Sequence, residues 1–300
     1  MTTEDLPVPP ASPLDLAPRS RLGMRRPGVT TVIGSVGTFI VMALFLIAIF
    51  APIIAPYDPT ERVGTPFQPP SELHPLGTND IGQDLFSELV WGTRVSLTVG
   101  LVAATVALLI GTTVGVLAGF YPRRFGALLM RMVDIVLILP FLPLLIVLAA
   151  YLGRSLITTV LVIGVLIWAG SARVIRSQVL SLTQRDYVVA ARAMGASDLH
   201  IIIRHVLPLT ILLAIGEFVQ ATAGAILLEA SLSFLGLGDP LQKSWGAILY
   251  WAQVRGAFLT PAWQWWVLPP GLMIMAAALG FALIGFALEQ RINPRLRQAR

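Results

Sequence analysis

The feature that most restricts this chain is an alternation. Apolar runs long enough to cross a bilayer are separated by short connectors, and most of the basic residues fall in every second connector. About 20 consecutive apolar residues span the hydrocarbon core as a helix. A helix satisfies its own backbone hydrogen bonds, which hydrocarbon requires. Such runs cover residues 31–54, 95–119 and 132–151, then 156–169 with help from flanking residues, then 206–228, and a last run reaching 288. The predicted fold is therefore an all-α membrane protein with six transmembrane helices. Six spans bring both termini to one side. With the termini inside, sixteen of the 21 basic residues are cytoplasmic, among them Arg123, Arg124, Arg173, Arg185 and Arg204. Arg62, Arg94, Arg154, Lys243 and Arg255 remain outside. Cytoplasmic connectors carry the excess of arginine and lysine, so both termini are expected in the cytoplasm. Charged residues make up 12% of the chain, against about a quarter in soluble domains. The net charge of +5 then reads as loop anchoring and not as a nucleic-acid surface.

This pattern divides the chain into a polar cytoplasmic tail (1–29), a first span with an external segment (30–94), a five-helix core (95–288) containing a cytoplasmic loop at 171–205, and a basic tail (289–300). A cleaved signal is the competing reading of the N-terminus. The first apolar run has 24 residues, longer than a signal core of about 7–15. In the external segment Ile81, Leu85 and Leu89 share one helical face, and Asp80, Asp84 and Glu88 another. This predicts an amphipathic helix lying at the interface or over a pore mouth. Gly111, Gly115 and Gly119 form a small-residue stripe, suited to close helix packing or to a pore-lining groove. Pro140 and Pro143 should interrupt the third span. Asp134 lies one turn from Arg131, which suggests an ion pair between them. Glu217 and Gln220 share a face in mid-span, either along a translocation path or in a structural bond between helices. Trp263, Trp265 and Trp266 are expected to form an interfacial belt.

One polar stretch, residues 186–208, stands apart: DYVVAARAMGASDLHIIIRHVLP. Its first part is rich in alanine, arginine and methionine, which favour helix. Gly195 is suited to the left-handed turn that ends such a piece. Ser197 can cap a second piece, with Asp198 favourable at its positive end. Pro208 sits where the next span would begin. Ala190, Ala191, Gly195, Leu207 and Pro208 resemble the EAA…G…LP cytoplasmic loop of bacterial ABC importer permeases. Val189 replaces that family's glutamate and His205 its isoleucine. The dipeptide, oligopeptide and nickel branch is similar over nearly the whole chain, through HPLGTNDIGQDLFSELVWGTRVSL at 74–97, MRMVD at 130–134 and EASLSFLGLG at 229–238.

The residues argue against an enzyme. No HExxH, GxSxG or paired-carboxylate pattern is present, and the one lysine, Lys243, follows Gln242 where a phosphate-binding loop would need glycine. ATP would have to be bound by another chain, and no cofactor is expected in this one. The resemblance implies a sister permease, two ATP-binding subunits and an extracytoplasmic substrate-binding protein as partners. It implies that Tyr187, Ala190, Ala191, Arg192, Gly195, Ala196, Leu207 and Pro208 couple the spans to the ATPase. It places Glu229 at a helix break near an external gate, with Glu217 and Gln220 as further path candidates. The cargo could be a peptide, an oligosaccharide or a nickel complex. A stand-alone transporter or channel is the alternative class, and it would favour an internal repeat of spans.

Overall fold

A computed structural model describes residues 29–292. Of the two polar tails, residues 1–28 and 293–300 lie outside the described residues, while 289–292 continue the last helix. The helices are α1 (Val29–Ile49), α2 (Ala51–Ile54), α3 (Leu85–Phe120), α4 (Arg124–Ile138), α5 (Phe141–Leu152), α6 (Leu156–Leu182), α7 (Asp186–Ala193), α8 (Asp198–Ile201), α9 (Leu207–Phe234), α10 (Trp245–Val254), α11 (Trp263–Trp266) and α12 (Leu268–Ile292). A π-helical segment, Ile202–Val206, joins α8 to α9. Five helical runs are long and apolar enough to cross a membrane, and the bent pair α4 and α5 makes a sixth if taken as one span.

The central helix is α3, which packs against α1, α4, α6, α9 and α10. Its contact with α6 explains the glycine stripe. A methyl group added at Gly111 would meet the Trp168 carbonyl at 2.9 Å, and one at Gly115 would meet the Ala172 carbonyl at 2.7 Å. At Gly119 it would meet Val179 at 2.7 Å. The stripe therefore holds two backbones together, the packing alternative of the two read from sequence. Lipid offers no hydrophobic drive between helices, so close backbone approach supplies the attraction.

Several expectations need correction. No separate amphipathic helix lies along the interface, because residues 85–92 form the first turns of α3. Asp84 caps that helix, its carboxylate accepting the Ser87 N–H. Glu88 is only 2% exposed, as buried as Leu85. Both faces are covered because the 55–84 segment and α10 wrap this end of the bundle, which we call the cap end. The third span is broken by 89° between α4 and α5. Pro140 accounts for the break, whereas Pro143 falls in the first turn of α5, where its missing N–H removes no helical bond. Helix α6 continues past Ala169 through Arg173 and Arg176 to Leu182. Asp134 pairs with Arg173 of that extension at 2.7 Å, and not with Arg131. Both side chains are about half exposed, so the pair contributes little stability. Trp266 is no belt residue: it is 1% exposed and packs with Leu85, Ile248 and Ala252.

Candidate coupling site and translocation cavity

At the end of the bundle opposite the cap, α7 and α8 form a knob. Helix α7 ends as its sequence suggests. Gly195 has φ +84°, the Ala196 N–H reaches the Ala191 carbonyl at 3.0 Å, and the Gly195 N–H reaches that of Arg192 at 3.1 Å. This pair of bonds is the Schellman arrangement, which satisfies carbonyls left over at a helix end. The Ser197 hydroxyl then accepts the His200 N–H and starts α8. The π segment makes α8 continuous with α9, so the second piece is the end of the fifth span and not a free stub. Pro208 lies in the first turn of α9. It directly follows Leu207, whose N–H makes the last bond of the π segment, to the Ile202 carbonyl five residues back.

The knob has two sides. Val188, Ala191, Ile201 and Val206 are buried against Val116, Phe120, Ile175 and Val179, which fastens it to the ends of α3 and α6. The Arg192 guanidinium lies 5.4 Å from the Phe120 ring centroid. Loss of hydration raises the Tyr121 phenol above its ordinary value, as does the nearby Asp198 carboxylate. The other side is apolar and uncovered: Met194 is 82% exposed, Leu199 66%, and Val189 56%. Of the small residues read as contacts for a partner, Ala190 is exposed and Ala191 is buried in the chain's own core. Ala196 and Leu207 are partly buried, while Tyr187 is exposed, its ring 5.9 Å from that of His205.

Beside the knob, a cavity of about 740 Å³ opens between α6, α9 and α12, within the roughly 300–1,000 Å³ usual for small-molecule sites. Its polar lining includes Ser177, Gln178, Arg185, Glu217, Gln220 and Glu289. Glu217 also accepts a hydrogen bond from Ser171 of α6 at 3.0 Å. Glu229 lies elsewhere, near the cap end and only 2% exposed. It accepts hydrogen bonds from Ser96 of α3 at 3.1 Å and from Ser233 at 2.7 Å. It does not mark a helix break, since α9 runs on to Phe234 and the turn comes at Gly236, with φ +76°. Glu229 therefore joins two helices and is far from the cavity that Glu217 and Gln220 share.

Sequence reasoning missed the polar interior of the cap. His74 Nδ1 lies 3.0 Å from the buried Asp84 carboxylate. Lys243 donates to Glu88 at 2.6 Å and to Gln83 at 2.7 Å, and Asn79 donates to the same two acceptors. The available sign was that Asp80, Asp84 and Glu88 line one helical face in an external segment, while the chain's one lysine lies in another external segment.

Residues 111–298, which include the knob and the cavity, match the family model described as the binding-protein-dependent transport system inner membrane component. The chain belongs to this family. Residues 33–70 also match the N-terminal transmembrane domain of oligopeptide transport permease C. The permease is 39% identical over 275 residues to the di/tripeptide transport system permease protein DppC of Pseudomonas aeruginosa, covering 89% of each chain. It is 39% identical over 271 residues to the dipeptide transport system permease protein DppC of Alkalihalophilus pseudofirmus, covering 87% of this chain and 86% of the relative. Against the oligopeptide transport system permease protein OppC of Bacillus subtilis the identity is 33% over 265 residues, 88% of this chain and 86% of the relative. Family and spans together make it a multi-pass inner membrane component of a transport system that depends on a binding protein.

Proposed function

We propose that this permease forms half of the translocation pathway of an ATP-driven importer of di- and oligopeptides. It pairs with a sister permease, and two ATP-binding subunits and an extracytoplasmic binding protein complete the system. The knob end faces the cytoplasm. There the exposed side of α7 and α8 seats in an ATP-binding subunit, while the buried side passes the movement to α3, α6 and α9. ATP is held by the partner and acts only through its different affinity for the two conformations. The cavity holding Glu217 and Gln220 belongs to the path, and the Glu229 cluster fixes α3 to α9 near the outer mouth.

The observation that carries this reading is the two-sided knob. A polar connector that buries one face in its own bundle while leaving Val189, Met194 and Leu199 bare has an apolar surface in want of a protein partner. The names of the relatives reported above supply the peptide cargo. The test is Val189→Asp with Met194→Asp in the complete complex. The ATP-binding subunit should no longer co-purify, and dipeptide uptake into membrane vesicles should fall to background while the variant still inserts normally. Retention of the ATPase with undiminished uptake would remove the knob from the coupling route.

A further inference from the structure

A carboxylate in the middle of a membrane span is unfavourable unless it meets water, a partner or a passing charge. Glu217 of α9 is partly exposed to the cavity beside the knob. One of its oxygens accepts the Ser171 hydroxyl at 3.0 Å. The other has no hydrogen-bond partner, and no arginine, lysine or histidine forms an ion pair with Glu217 among the described residues. Gln220 lines the same cavity on the same helical face. Glu289 of α12 adds a second carboxylate to the wall, and Arg185 the cation. Leu209, Leu212 and Leu213 make the rest of the α9 side apolar.

From this arrangement we infer that Glu217 receives the free N-terminal ammonium of the peptide cargo as it passes through the subunit. This rests on the peptide-permease reading above and adds the group that handles the cargo. An ammonium carries three N–H donors and needs several acceptors around it. The free oxygen of Glu217 and the side-chain carbonyl of Gln220 provide two acceptors three residues apart on one helix. The terminal ammonium is common to peptides of any sequence, and the leucine wall can accept varied side chains without selecting among them. Ser171 is a positioning residue: its hydroxyl holds one oxygen toward α6 and leaves the other for the cargo.

The test uses the complete complex, with its ATPases and binding protein, in proteoliposomes, and trialanine as the probe. Glu217→Gln keeps the size and the Ser171 bond while removing the charge. It should lower trialanine taken up per ATP hydrolysed by about tenfold, the scale of one charge-assisted hydrogen bond. Glu217→Asp should recover most of that loss, and Ser171→Ala, which spares the carboxylate, should lower uptake by no more than about threefold. The inference is overturned if Glu217→Gln transports like the parent, if Glu217→Asp is as poor as Glu217→Gln, or if Ser171→Ala matches the full loss. In the last case the carboxylate serves only to join α6 to α9. A parent complex that fails to take up trialanine while its binding protein binds it would overturn the peptide-permease reading itself.

Discussion

At Gly195 the side chain is excluded by the backbone and by nothing else. Its φ is +84°, and a methyl group there would find open space. A left-handed conformation costs an ordinary residue about 1–2 kcal/mol, and asparagine less. ATP-driven uptake at equal membrane levels should therefore fall in the order glycine, Asn, Val for Gly195→Asn and Gly195→Val. Lys243 presents the opposite case, a side chain fixed by what surrounds it. The Glu88 and Lys243 side chains are 3% and 20% exposed. Lys243→Met leaves a buried carboxylate without its counter-charge, a change that destabilises by about 3–5 kcal/mol. Tryptophan fluorescence melting of the purified complex should show a lowered Tm. The double variant Lys243→Met, Glu88→Met should melt higher than Lys243→Met alone. Gly195 and Ser197 were legible because a helix stop and a helix start are local signals. The Glu88–Lys243 pair was not, because its members lie 155 residues apart and no periodicity links them. Asp134 was misassigned to Arg131 for a related reason: the spacing within one helix was visible, and Arg173 on its neighbour was not.

Helices meet in this bundle where side chains are missing. A Cβ at Gly115 would approach the Ala172 carbonyl at 2.7 Å and the Ile175 Cβ at 2.9 Å. Neither can yield without parting α3 from α6, so Gly115→Leu should sharply reduce the amount of intact protein recovered from membranes. Gly170, on α6 itself, would meet nothing within 4 Å. Gly170→Ala should be harmless or raise stability, since alanine favours helix over glycine by about 1 kcal/mol. Detergent-solubilised yield and Tm distinguish the two outcomes. The number of spans was legible in the lengths of the apolar runs. The extent of α3 was not, and Gly92 shows why. It precedes residue 95, where the second span is expected to begin. It lies inside α3, where a Cβ would stand 3.1 Å from the Lys243 carbonyl and from Trp245. The glycine there permits a loop to press on the helix, and sequence alone cannot distinguish that from a turn.

The whole molecule has polar ends of different kinds, a knob with one bare apolar side and a cap closed over the Lys243–Glu88 pair. The arginine count predicts which end faces the cytoplasm, and the chain is suited to a direct check because it contains no cysteine. Met194→Cys on the knob and Leu73→Cys on the cap are both at well-exposed positions. In cells that lack the ATP-binding subunits, so that the knob is left bare, a membrane-impermeant thiol reagent applied to intact cells should label Leu73→Cys and spare Met194→Cys, and inside-out vesicles should reverse the result. The opposite outcome would invert the orientation proposed for the subunit. One structural feature bears on both ends together. The helical run Asp198–Phe234 is 37 residues long and crosses the bundle without interruption at the π segment. At 1.5 Å per residue it is a strut about 55 Å long, so a tilt of about 5° at its foot swings its far tip by roughly 5 Å. A nudge where the motor sits is thereby magnified into a displacement comparable with the width of a peptide backbone, with no relay of side chains needed in between.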